Sequence, residues 1–307
     1  MRARHPLVVP LVGLVVAACG SDAGSGAPEP AAYAPVRVET GQQPCGILGA
    51  AGRIWVSNYG EDTLVTVDPA TLEVGDPVHV GGAPCGLAHG AGSIWVEDFG
   101  SNEVTRVSAT TGRVQRTYDV GSQPYDVTFA DGAAWVTDFG SGTVSRIDAR
   151  SGKVTPIDVG GSPIGIAPAG GAVWVGLGSA GVVRVDTRTQ EVARVDVAGS
   201  AGWTAYDDDH VWVDVDDSIV EIDPVDASVV GTVSVGDDPE DGTVVGDDVW
   251  VGDKSGDLYR FSTEGGPATS YPSGVDNPFV LTALDGQLWA VDFTGTEVVR
   301  IDPGQLS

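Results

Sequence analysis

Seven of the eight tryptophans recur at a nearly constant interval. Trp55, Trp95, Trp135, Trp174, Trp212, Trp250 and Trp289 follow one another at 40, 40, 39, 38, 38 and 39 residues, and only Trp203 lies off the register. A period of about 40 residues restricts a chain to repeat architectures. The unit that starts at Pro124 reads PYDVTF, a turn ADG, AAWVTDF, a turn GSG, TVSRID, a turn ARSG, and KVTPIDVG. Four alternating β-branched runs between Gly, Asp and Pro turns predict four antiparallel strands. Four strands per unit of this length make a propeller blade. The chain is therefore expected to be all-β, a seven-bladed β-propeller over residues 36–307 built from four-stranded antiparallel blades.

The ends test whether the ring closes. Val298-Val299-Arg300-Ile301-Asp302 matches a third strand, and Val36-Arg37-Val38-Glu39 matches a fourth. The N-terminal strand is expected to complete the last blade, so that two sheet edges are zipped together.

Residues 1–35 do not share the repeat. Arg2 and Arg4 precede a short apolar run from Leu7 to Ala18. That run is shorter than the about 20 residues a bilayer span requires, and it reads as a secretory signal over residues 1–18. Val16-Ala17-Ala18-Cys19-Gly20 resembles the lipobox of bacterial lipoproteins. The resemblance implies that Cys19 becomes a lipidated N-terminus, with 19–35 as a flexible tether. The expected address is the outer surface of a bacterial cell membrane, reached by export and held by the lipid anchor alone.

The formal charge of −27 and pI of about 4.1 exclude nucleic acid as a partner, because phosphate backbones are bound through Lys and Arg. A hydrophobic content of 42 % supports a full core.

In a propeller the loops entering the innermost strands, and those joining second to third strands, share one face around the channel. The position ten residues before each repeat Trp reads Cys45, Cys85, Tyr125, Ile164, Gly202, Glu240 and Phe279, with Trp203 beside Gly202. Such divergence within a repeat is what a ligand site would show, and also what drift would show. Cys45 and Cys85 hold one register in neighbouring units. In an exported protein they read as a disulfide, as paired thiols on a soft metal, or as inert thiols. The loops after the Trp strands carry Asn58-Tyr59, Asp98-Phe99, Asp138-Phe139, Asp253-Lys254 and Asp292-Phe293. Their carboxylates are either Asx-turn acceptors or, with the aromatics, a rim for a cationic, sugar-like or metal-bearing ligand. Two acidic groups, Asp214/Asp216/Asp217 and Asp237/Asp238/Glu240/Asp241, supply the hard oxygens that Ca²⁺ or Mg²⁺ prefers, or are solvated surface. No cofactor is expected beyond such an ion, and no metal ligand set is assigned.

The stretch AWVTDFGSGTVSRIDARSGKVTPIDVGGSPIGIA resembles YVTN-type propeller repeats and those of the virginiamycin B lyase family, and the likeness extends over residues 36–307. The lyase resemblance implies a Mg²⁺-dependent elimination that opens a lactone ester, with a His general base and a Glu near the channel. The chain departs from that pattern. His79 falls on an outer strand, His89 and His210 fall toward the opposite face, and Glu240 is the lone acid among the seven mouth positions. No nucleophile–base pair, Ser-His-Asp order or zinc spacing is present. The sequence thus reads as a monomeric, lipid-anchored binding or scaffold module for a protein, glycan or small molecule of the cell envelope. The alternative is a streptogramin lyase-like enzyme.

Overall fold

The computed structural model describes residues 34–207 and 209–306. The leader, Cys19, the tether as far as Tyr33 and Asp208 lie outside them. Each Trp-centred unit folds into one four-stranded antiparallel sheet, giving seven sheets. Blade 3 is typical: Pro124–Ala130, Ala133–Asp138, Thr143–Asp148 and Val154–Asp158 pair in sequence order from the channel outward. Its first hairpin turns through Asp131 and Gly132, both at positive φ (45° and 73°), the two-residue geometry whose twist matches that of the strands it joins. This is why a small or acidic residue followed by Gly recurs at that place in the repeat.

The ring closes as the termini suggested. Val36–Glu39 pairs antiparallel with Glu297–Ile301, from Val36 opposite Arg300 to Glu39 opposite Glu297, as the outer strand of blade 7.

The repeat tryptophans are the wedges between blades. All seven are at most 2 % exposed. Six of them pack on the blade that follows, among them Trp55 on Ile94 and Val96, Trp135 on Val173 and Val175, and Trp289 on Ile54 and Val56 across the seam. Burying a side chain of this size removes 150–250 Å² from water, or about 4–6 kcal/mol before entropy is counted. In blades 1 to 4 the indole N–H donates to the carbonyl five residues earlier at 3.2 Å. The cross-strand partners of Trp95, Trp135, Trp250 and Trp289 are arginines, whose guanidinium carbons lie 4.9–5.9 Å from the ring centres.

Around the channel, blades are stitched by side chains. Ser57 Oγ donates to the Cys85 carbonyl and Thr137 Oγ1 to the Ile164 carbonyl, both at 2.7 Å. Asp241 Oδ2 accepts from Leu281 N at 2.9 Å. Thr282 Oγ1 accepts from Gly49 N at 3.0 Å across the seam. Inner strands run so close here that a Cβ at Gly46 would overlap the Cys85 carbonyl oxygen.

Candidate functional site at the channel mouth

In six blades the innermost strand slips register against the second strand near its start. The slips lie between Pro44 and Ile47, Pro84 and Leu87, Pro124 and Asp126, Ala201 and Thr204, Pro239 and Asp241, and Pro278 and Leu281. Such bulges re-aim side chains and recur next to functional sites. Here they fall on the divergent positions of the repeat. All seven residues ten before the repeat Trp, from Cys45 to Phe279, line one cavity of about 660 Å³.

The cavity has a covalent wall, an aromatic arc and an acidic lining. Cys45 and Cys85 form a disulfide between the inner strands of blades 1 and 2, with Cα atoms 4.9 Å apart. Of the three readings of this pair, the structure carries the disulfide. Tyr59, Phe279 and Phe293 form the arc, with ring centres 5.8 and 5.1 Å from Phe293, and Phe99, Tyr125 and Trp203 add to the lining. Glu97, Asp126, Asp214, Glu240 and Asp241 are the acids. Glu240 is paired with Lys254 Nζ at 2.8 Å, and that ammonium also holds Asp238 at 2.9 Å.

The loop carboxylates offered as a ligand rim are elsewhere. Asp98, Asp138, Asp253 and Asp292 do not line the cavity. Asp98 is fully buried; its Oδ1 accepts from Gly81 N at 3.1 Å and its Oδ2 from Thr105 Oγ1 at 2.6 Å. Asp138 accepts from Gly121 N, Thr143 Oγ1 and Ser145 Oγ at 2.7–3.0 Å. Asp253 accepts from Asp238 N and Ser255 N, and Asp292 from Thr294. Asp98 and Asp138 tie the segment entering their blade to its second and third strands, Asp253 ties its loop to the segment entering blade 6, and Asp292 closes its own turn. The reason is geometric: the side chain after a cavity-facing residue points to the other face of the sheet. Phe139 is likewise outside the cavity, 38 % exposed at the rim against Tyr125.

Two cavity acids, Glu97 and Asp126, escaped the candidates drawn from sequence. Glu97 and Asp214 stand two residues after the Trp of blades 2 and 5, and Asp126 and Asp241 nine before that of blades 3 and 6. Of these only Asp214 and Asp241 figured there, as members of acidic groups. The signal lay in the register two after the Trp, which reads Ser57, Glu97, Thr137, Gly176, Asp214, Gly252 and Val291. Each cavity acid holds backbone donors: Glu97 Oε2 takes Gly86 N at 3.0 Å, Asp214 Oδ1 takes Gly202 N at 2.9 Å, and Asp126 Oδ2 takes Ile166 N at 3.0 Å in the next blade.

Burial sets their electrostatics. Desolvation raises Asp126 to about 6, Asp214 to about 7 and Asp241 to about 8, against the pull of those backbone N–H groups. Glu97, wholly buried, is raised well above the carboxylate range. The Tyr125 hydroxyl is raised by its own desolvation and then by the charges of Asp126, Glu97, Asp214 and Asp241. No Lys, Arg or His is among the lining residues.

A second, smaller depression lies between Asp207, Asp209, His210, Glu221, Thr263 and Glu264, at the opposite end of the strands. His210 sits 3.4 Å from Asp207 and 3.3 Å from Glu221 there. Among the described residues no group of three or more His, Cys, Asp or Glu is placed to hold a metal ion. Neither acidic group read as a Ca²⁺ or Mg²⁺ site gathers into one.

Residues 85–206 match a repeat of unknown function (DUF6923), which spans blades 2 to 4 and part of blade 5. No curated protein matches the sequence. Among solved structures, the chain is similar to streptogramin B lyase at 15 % identity and a TM-score of 0.77, covering 87 % of this chain and 96 % of that one. Hydrazine synthase of Kuenenia stuttgartiensis aligns at 14 % identity and 0.73, over 88 % and 98 % of the two chains. The WD40 propeller domain of Doa1 aligns at 10 % and 0.73, over 86 % and 95 %. At these identities the likeness is one of fold.

Proposed function

We propose that the protein is a lipid-anchored extracytoplasmic propeller that works as a binding or scaffold module and takes its ligand at the channel mouth. One observation carries this reading. The seven members of one divergent register of the repeat line a single cavity, and six of the seven blades bulge beside them. A position that only holds a fold together should look alike in every blade, as the repeat tryptophans do. The aromatic and acidic lining suits a small molecule or the tip of a larger partner.

The second reading is a Mg²⁺-dependent streptogramin lyase-like enzyme, prompted by the fold likeness to streptogramin B lyase. The residues fit it poorly. No His lines the cavity, and its acids are engaged by backbone donors or by Lys254 instead of converging on one point. Thermal melts in EDTA and then in Mg²⁺ or Ca²⁺ separate the readings. Ligand at a hundred times its dissociation constant adds about 2.7 kcal/mol. The binding-module reading expects no saturable shift with either ion. A saturable shift abolished by Glu240→Ala overturns it in favour of a metal site. For the anchor, labelled fatty acid should enter the chain expressed in bacteria and be lost in Cys19→Ser; unchanged labelling rejects Cys19 as the attachment point.

A further inference from the structure

We infer that the channel-mouth cavity selects an organic cation, with its ammonium taken by the free carboxylate oxygen of Glu97 in the field of Asp126, Asp214 and Asp241. Its apolar body would lie against the arc of Tyr59, Phe279 and Phe293. This rests on the cavity being a ligand site and adds the chemical class of what it takes.

Glu97 is the first reason. It is fully buried and lines the cavity; Oε2 receives Gly86 N, and Oε1 has no hydrogen-bond partner. An unpaired buried polar atom costs about 1–3 kcal/mol. The fold does not require that cost. At the same register in blades 1 and 3, Ser57 and Thr137 accept the equivalent backbone N–H at 2.9 Å, and each donates its hydroxyl to the next blade's carbonyl. A hydroxyl does the structural job; a carboxylate at 97 exceeds it and leaves one oxygen to be satisfied from the cavity.

Trp203 is the second. It is 7 % exposed, lines the cavity, and its Nε1 is buried without a partner. It adds an unused donor for an oxygen on the ligand and an aromatic surface of the kind that attracts cations.

Charge and spacing give the class. The charged groups that line the cavity are all acids, which disfavours anions, while the acids come from blades 2, 3, 5 and 6 without gathering three to a point. A bare metal ion needs such a point. A molecule-sized cation does not, and the cavity of about 660 Å³ admits one.

The test is calorimetric titration of the purified chain at a pH of about 8, above the values of Asp126 and Asp214, with three probes of one shape: 2-phenylethylammonium, 2-phenylethanol and 3-phenylpropanoate. The ammonium should bind about ten-fold or more tightly than the alcohol, as a charge-assisted hydrogen bond predicts, and the carboxylate should not bind. Glu97→Thr, which copies blade 3, should melt like the parent, lose that ten-fold preference and bind the alcohol unchanged. Equal binding of ammonium and alcohol, or a preference intact in Glu97→Thr, overturns the cation assignment and leaves the cavity as a ligand site. Silence from all three probes overturns both. The parent comparison needs no variant to fold.

Discussion

Glu97 and Asp98 are neighbours on one strand, equally buried, and engaged in opposite ways. Asp98 points away from the channel, where Gly81 N and Thr105 Oγ1 occupy one oxygen each. Glu97 points into the channel and leaves an oxygen without a partner. The first belongs to a series: Asn58, Asp98, Asp138, Asp253 and Asp292 occur at the same register in five of the blades and bind their own blade together. The second stands in a register that runs from Ser to Gly to Val. In a repeat protein, a side chain copied from unit to unit serves the unit, and one that is not copied is free to serve a ligand.

The sharpest way to break this comparison is to remove one acid of each kind. Asp138→Ala strips acceptors from one backbone N–H and two hydroxyls in a dry site. It should cost about 3 kcal/mol or more in urea unfolding. Glu97→Gln keeps an acceptor for Gly86 N and removes a desolvated acid, so its unfolding midpoint should stay within about 1 kcal/mol of the parent or rise. Equal losses in the two variants would collapse the distinction.

The covalent wall should come next. Cys45→Ser with Cys85→Ser should lower stability by about 2–4 kcal/mol, and reductant should mimic it in the parent only.

A pH series sharpens the channel side. A carboxyl whose pKa is higher in the folded than in the unfolded chain binds more protons when folded, so stability falls as pH rises between the two values. Unfolded carboxyls titrate near about 4. Asp126, Asp214 and Asp241 titrate at about 6, 7 and 8 when folded. The melting midpoint should therefore be higher at a pH of about 5 than at about 8.5, by a few degrees. Asp241→Asn should flatten that slope, and a slope unchanged in this variant would remove Asp241 as its source. Phe139→Ala, at the rim and outside the cavity, should be the smallest change, within about 0.5 kcal/mol of the parent and without effect on any cavity ligand.

The fold was legible because it is written seven times. The Trp interval, the Gly-bearing hairpin turns and the matching strand patterns at the two ends all survive as sequence periodicity, and they specify blades, ring and seam. The mouth was legible in part. The divergent register ten before the Trp lines one cavity, Tyr125, Glu240 and Phe279 among it, and Trp203, beside Gly202 in sequence, lines the same cavity. The loop acid three after the Trp left two readings open, structural acceptor or ligand rim, and the hydrogen bonds carry the first. It looks like a site residue because it is charged and recurrent, yet its recurrence marks it as structural. Strand alternation hid Glu97 directly beside it. The bulges were invisible, since no residue type announces them.

The seam has a consequence for how the chain reaches its folded state. Arg37 and Glu297, paired across it, are 260 residues apart. A strand of four residues near the start of the body must wait, unpaired, until almost the whole chain has been made. Contacts this distant in sequence are the slow step of folding. Blades 1 to 6 draw all four strands from contiguous sequence and can form one after another, while blade 7 completes last and locks the rest. The molecule should therefore pass through an open, crescent-shaped stage whose two exposed edges seek each other, or an edge of another copy.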